Sequence, residues 1–256
     1  DLQPRPANFA DGEQHLTAMQ ADLVLAAFGY NESFAGKEGL PAFRERLTKY
    51  LEGVKSKAYN GKTAARVVLI SPIANENVNG VAAADRNNGN IKAYLEVMKQ
   101  VAAEQKVGFV DAFTATEKGM ASPGNDLTMN GAHLNEKGYQ LFASTVFKQL
   151  FGKDAPKLDE KVREEVVEKN RQHFFRYRPL NTFYYTGGRN RSYGYLDFLP
   201  AMRNFDIMTA NRDQRIHALA QGKKVPAEID DSNVPEMPKT KQSRGANKWM
   251  SAKDER

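Results

Sequence analysis

Two short strings carry side chains capable of acid–base or oxyanion chemistry. The first, Phe28-Gly29-Tyr30-Asn31-Glu32-Ser33, follows an apolar run. Gly29 lets the chain turn sharply where a strand ends, which presents Asn31 at the sheet edge. An asparagine N–H placed there can donate to a developing oxyanion, and loss of one such donor costs roughly 3–4 kcal/mol of transition-state stabilisation. The same residue can equally do no more than cap the following turn. The second string, Leu127-Thr128-Met129-Asn130-Gly131-Ala132-His133-Leu134-Asn135, runs into a helical pattern. An imidazole on a loop just ahead of a helix can act as general base, although a lone histidine is often only a packed or surface residue. Glu76 and Asn77, after the second apolar run, can line a substrate pocket or simply meet water.

The elements that must position these groups are readable from hydrophobic patterning. Residues 21–28, 65–71 and 107–110 are continuous apolar runs, as expected of parallel strands covered by helices on both faces. Between and after them lie helical stripes: Leu40, Phe43, Leu47, Leu51 and Val54 in 38–57; Ile91, Tyr94, Leu95, Met98, Val101 and Ala102 in 88–105; Tyr139, Phe142, Val146 and Leu150 in 135–150. Asn135 is placed to cap the last of these, and Asn60-Gly61 marks a turn into the second strand. The alternation predicts a doubly wound α/β domain ending near residue 152, with right-handed crossovers. Ligands of such sheets bind beyond the carboxyl ends of the strands, which is where the two strings fall.

The chain has 256 residues, 41% hydrophobic and 27% charged, with a formal net charge of +6. Those are values of an ordinary folded domain. Cysteine is absent, so within these residues there is no disulfide, no thiolate metal site and no cysteine nucleophile. No apolar run reaches the length of a membrane-spanning helix, and the positive charge alone does not specify an acidic partner.

Taken together and in this order, the strings resemble the SGNH (GDSL-like) hydrolase family. Its Gly-x-Asn-Asp block is matched by Gly29-Tyr30-Asn31, with Glu32 in the last place. Its Asp-x-x-His block before the final helix is matched by Asn130-Gly131-Ala132-His133. The longer strings FGYNESFAGKEGL, LISPIANEN and LTMNGAHLNEKGY look like a subgroup of planctomycete-type bacteria, and the resemblance covers roughly residues 4–152. It implies a flavodoxin-like sheet and an esterase site. In that site Asn31 donates to the oxyanion and His133 deprotonates a serine, with no metal or other cofactor. The substrate would be an ester-bearing small molecule or a carbohydrate, and the compartment periplasmic or exported.

Two departures accompany the resemblance. The family's nucleophile lies in a Gly-Asp-Ser block on its first strand, and no such block occurs in these residues. Asp231-Ser232 lacks the glycine and sits in a polar tail, Ser33 follows the oxyanion asparagine, and a second glycine block has only Gly12 as a candidate. The resemblance therefore implies a missing first strand, supplied from outside these residues or by a partner chain, and a fragment inactive as an independent hydrolase. The second departure is Asn130 where the family has an acid. An amide can fix the tautomer of the ring but cannot stabilise imidazolium, and a comparable change in a serine protease costs about 10⁴ in rate. A Ser-His dyad, a substitute acid (Asp126 or Glu136) and a degenerate, scaffold-like site all remain open.

Beyond residue 152 the character changes. Residues 153–221 read as a helical arm: a charged helix over 158–177, a Gly- and Tyr-rich irregular stretch, and a helix over 199–221. Residues 171–195 interleave arginine with aromatic rings, a composition that can stack bases or sugars. The preferred reading is a strap over the α/β domain, with no nucleic acid partner. Residues 222–256 have the composition of a linker. In the subgroup that the strings resemble, the domain precedes a sugar-dehydrogenase-like β-propeller and a c-type cytochrome portion.

Overall fold

The structure, a computed structural model, describes residues 11–122, 124–157, 159–178 and 195–237, with backbone only over 195–198. The chain divides into two compact units, Asp1–Ala155 and Pro156–Arg256.

The first unit is built on three parallel strands in the order β1 (Leu23–Ala27), β2 (Arg66–Ile70) and β5 (Gly108–Val110). β1 is preceded by α1 (Gly12–Ala18) and followed by a short α2 (Tyr30–Ser33) and then by α3 (Leu40–Lys55). A two-stranded ribbon of β3 (Asn77–Val78) and β4 (Val81–Ala82) leads from β2 into α4 (Ala83–Gln105). α5 (Ala112–Met120) and α6 (Glu136–Phe151) follow β5. This is the α/β architecture expected from the patterning.

One face of the sheet presents Val24, Ala26, Val67 and Leu69 to α3 and α4, whose Phe43, Leu47, Leu51, Tyr94, Met98 and Val101 complete the main core. The apolar stripes forecast for those two helices are the buried ones, save that Leu40 at the start of α3 is only partly buried. On the other face Val68, Ile70 and Val110 meet Phe142, Val146 and Leu150 of α6. Tyr139, assigned to that stripe from its spacing, is instead 61% exposed.

Coverage of the second face stops at β2. Leu25 lies in register with Val68, yet Leu25 is 51% exposed and Leu23 43%. β1 thus keeps one bare face, and among the described residues its outer edge has no partner strand. Helices flank the sheet on both faces as expected, and among the described residues α6 reaches only as far as β2 on the second face.

Local signals set the element ends. Asn60 Oδ1 accepts from the N–H groups of Lys62 and Thr63 and makes the turn before β2. Asn135 caps α6 by accepting from Gly138 N at 3.0 Å. α4 begins at Ala83, five residues before the stripe suggested, because Asn77 Oδ1 accepts from the N–H groups of Ala84 and Asp85. Its first turn has no capping side chain at Ala82.

The described part of the second unit is an antiparallel helical hairpin of α7 (Glu160–Tyr177) and α8 (Tyr195–Ala220). Glu165 pairs with Arg215, Lys169 with Asp213 and Arg176 with Asp206 along it. Most of the aromatic and arginine-rich stretch, 179–194, lies outside the described residues, as do Trp249 and the rest of 238–256. The described part of the tail is not a free linker. Residues 228–235 run back along α8, held by Arg215 Nη1 to Glu228 O, Asn211 to Asp230 and Asp231, and Asn204 Nδ2 to Pro235 O. At the centre is Arg212, fully buried and bonded to both oxygens of Asp231, to Glu168 and to Met208 O. Composition pointed to a linker because this segment is ordered by polar and ionic contacts rather than by apolar burial.

Two outcomes are expected in urea denaturation. Leu69→Ala, at a fully buried position, loses about 2–5 kcal/mol, whereas Leu25→Ala, on the bare face, stays within about 0.5 kcal/mol of the parent. Asp231→Ala leaves the buried Arg212 guanidinium with Glu168 as its one carboxylate partner. It destabilises the hairpin unit by on the order of 3 kcal/mol, read as a separate shift in its melting transition.

Candidate active site

Both candidate strings lie beyond the carboxyl ends of the strands. β1 ends at Ala27 and the chain turns at Gly29, whose φ of 99° excludes an ordinary side chain. A Cβ there would also press on Met98 Sδ at 3.1 Å. Gly29 N donates to Glu32 Oε2 at 2.9 Å within buried surroundings, so Glu32, standing in the fourth place of the block, locks the turn that carries Asn31. Asn31 itself is exposed. Ser33 is fully buried, with its Oγ donating to Tyr30 O and accepting from Asn87 Nδ2, so its hydroxyl is already engaged on both sides. Gly12 opens α1 with nothing within 4 Å of where a Cβ would stand, so no contact there requires a glycine.

His133 is exposed, on a loop closed by Met129 N to His133 O and by Asn135 N to Leu127 O. Its ring Nδ1 lies 3.1 Å from Asn130 Oδ1. The same oxygen accepts from the backbone N–H of Ala132 and of His133 itself. Two backbone donors converging on one atom identify it as the carbonyl oxygen rather than the amide nitrogen. The ring must therefore donate, which places the proton on Nδ1 and leaves the Nε2 lone pair available as a base. Among the described residues no carboxylate bonds the ring. Asp126 and Glu136 are exposed, and the hydrogen bond shown for the ring goes to Asn130.

Glu76 and Asn77 line a polar cavity of about 320 Å³, together with Asn75, Asn88, Asn125 and Asp126. Neither Asn31 nor His133 lines it. The carboxylate of Glu76 is engaged elsewhere than on a ligand. It accepts from Leu127 N, Thr128 N and Thr128 Oγ1, with Glu76 only 7% exposed. Asn77 Nδ2 donates to Asp85 while its Oδ1 caps α4. Glu76 and Asn77 thus line the cavity and also make bracing contacts that neither the pocket nor the solvent reading of the sequence contained. No local signal links Glu76 to a loop some fifty positions away.

A profile of the GDSL-like lipase/acylhydrolase family matches residues 4–141. Among proteins of curated function, none matches the chain. Solved structures similar to it include an acetylxylan esterase, Axe2, from Geobacillus stearothermophilus, at 18% identity and a TM-score of 0.42, covering 56% of this chain and 65% of that one. A lipase/acylhydrolase from Enterococcus faecalis is 23% identical with a TM-score of 0.39, covering 56% and 67%. The aryl esterase of M. smegmatis is 18% identical with a TM-score of 0.41, covering 56% and 68%. The chain spans less than two thirds of the length of the Axe2 structure. With the family profile matched over more than half of its residues, this chain belongs to the GDSL-like lipase/acylhydrolase family.

Proposed function

We propose that these residues form the greater part of a carboxylic-ester hydrolase site of Ser-His type, acting on an acetyl ester of a small alcohol or carbohydrate. The observation that supports the reading is the contact of Asn130 Oδ1 with two backbone N–H groups and Nδ1 of His133, which favours Nδ1 as the donor and leaves Nε2 to serve as base. In this scheme a serine Oγ attacks the acyl carbonyl and Nε2 takes its proton. The tetrahedral oxyanion is held by the amide of Asn31 and by backbone N–H groups, with Gly29 fixing the turn. Collapse expels the alcohol, which recovers the proton from His133. Water, deprotonated by the same nitrogen, then attacks the acyl-serine, and His133 returns that proton to the serine Oγ as the acid leaves.

The nucleophile belongs, on this proposal, to a strand outside the 256 residues that pairs in parallel with the free edge of β1. The position of β1 at the edge of the sheet, without a partner strand among the described residues, supports that reading. The resemblance to planctomycete-type sequences extends the proposal to an exported multidomain protein, with propeller and c-type cytochrome portions in the same polypeptide or its assembly. The division into an α/β domain over 1–152, an arm over 153–221 and a tail over 222–256 is part of the same proposal. A second reading, a non-catalytic scaffold on the same fold, is favoured by one observation: Asn130 offers imidazolium no carboxylate.

Hydrolysis of 4-nitrophenyl acetate and of an acetylated xylooligosaccharide by the intact protein separates the two. For a hydrolase, His133→Ala lowers kcat/KM by about 10²–10⁴-fold, Asn31→Ala by about 10²–10³-fold, and Asn130→Asp raises it by up to about 10⁴-fold. Turnover that ignores His133→Ala eliminates the proposed base, and inactivity of both the parent and Asn130→Asp selects the scaffold. The 256 residues alone are expected to remain unlabelled by a fluorophosphonate probe. A labelled serine among them would overturn the placement of the nucleophile.

A further inference from the structure

We infer that Glu76 and Thr128 are positioning residues for His133, acting through a short hydrogen-bonded relay rather than by contact with substrate. The inference rests on His133 being the base of the proposed site and adds the groups that set its ring.

The relay starts at a buried carboxylate. Glu76 Oε2 accepts from Thr128 N at 2.7 Å and Thr128 Oγ1 at 2.6 Å, and Oε1 accepts from Leu127 N at 3.0 Å. While its O–H donates to Glu76, the Thr128 hydroxyl oxygen accepts from Gly131 N at 3.0 Å. Glu76 N donates to Gly131 O at 2.9 Å, so both backbone groups of Gly131 are held from the Glu76 side. Gly131 is the residue between Asn130, which holds the ring, and Ala132, whose N–H converges on Asn130 Oδ1. Its φ of 86° and the 2.8 Å gap from a would-be Cβ to Glu76 O leave room for glycine alone. A displacement of Gly131 is therefore transmitted directly to the atom that fixes the tautomer of His133.

The chemistry of the relay requires an ionised acceptor. All the donors that meet Glu76 are N–H or O–H groups, and a carboxylate offers acceptors at both oxygens. A glutamine would turn an NH₂ group either onto Leu127 N or onto Thr128, replacing an acceptor by a donor. At Thr128 the hydroxyl must donate and accept at once, which serine reproduces and valine does not.

The test reads the ring itself, so it needs no turnover. Long-range ¹H–¹⁵N spectra of the 256-residue chain, at a pH where His133 is neutral, report which ring nitrogen carries the proton. The parent and Thr128→Ser are expected to show a protonated Nδ1 and a bare Nε2. In Glu76→Gln and Thr128→Val the two nitrogen shifts should collapse toward the average of free imidazole. Loss of stability alone would not do this, and a thermal melt of each variant confirms that the folded form is the one observed. If Glu76→Gln fails to fold, the Thr128 pair decides. The inference is overturned if the folded variants keep the ring pattern of the parent, which would make Glu76 and Thr128 structural only. A parent without the Nδ1–H signature would remove the Asn130 contact on which the hydrolase reading also rests. An inactive protein with the expected ring pattern would defeat that reading and leave the relay standing.

Discussion

Between Glu76 and the loop 127–135 pass the hydrogen bonds that give an irregular segment a fixed position. The loop has no helix or sheet ladder to take up its backbone N–H groups, apart from the single bridge of Thr128 to Leu134. An N–H buried without an acceptor costs about 1–3 kcal/mol, so two such donors at Leu127 and Thr128 would be enough to dislodge it. One carboxylate meets both, along with a hydroxyl. The histidine, the asparagine that orients it and the cap of α6 all follow from that contact, because each lies within a few residues of it along the chain.

Much of this was readable beforehand, for reasons that differ from element to element. The strands announced themselves because a parallel sheet needs apolar residues in unbroken runs, and α3 and α4 because their buried positions repeat with the helix. Asn135 and Asn60 were readable because a cap or a turn is a contact between neighbours in sequence. The bare face of β1 was not, since Leu23 and Leu25 look alike to the sequence whether or not anything covers them. Glu76 escaped for the opposite reason: its partners lie some fifty positions away, so only the folded chain brings them together. Arg212 escaped because an arginine within a helical pattern reads as solvent-facing until the returning segment with Asp231 encloses it.

Asn130 meets the ring of His133 with an oxygen that also serves the backbone. The oxygen that orients the ring also accepts two backbone N–H groups and so shapes the turn. An aspartate oxygen could form the same three contacts. What the amide forgoes is charge, and with it the stabilisation of the imidazolium that forms when a base takes a proton. Shape and tautomer are therefore separable here from electrostatic support. Glu32 makes a parallel point, since its extra methylene still lets it reach Gly29 N and close the turn ahead of Asn31.

The open flank of β1 has a consequence for handling the polypeptide. Amide and carbonyl groups without a partner strand among the described residues, beside leucines on a strand without an internal charge or proline, are a template for intermolecular pairing. Natural sheets guard such flanks with lysines or bulges, and Leu23–Ala27 contains neither. Self-association of this polypeptide should accordingly begin along that flank and grow with concentration. A lysine introduced at position 25 would act as a gatekeeper while leaving the opposite, buried face of the strand undisturbed.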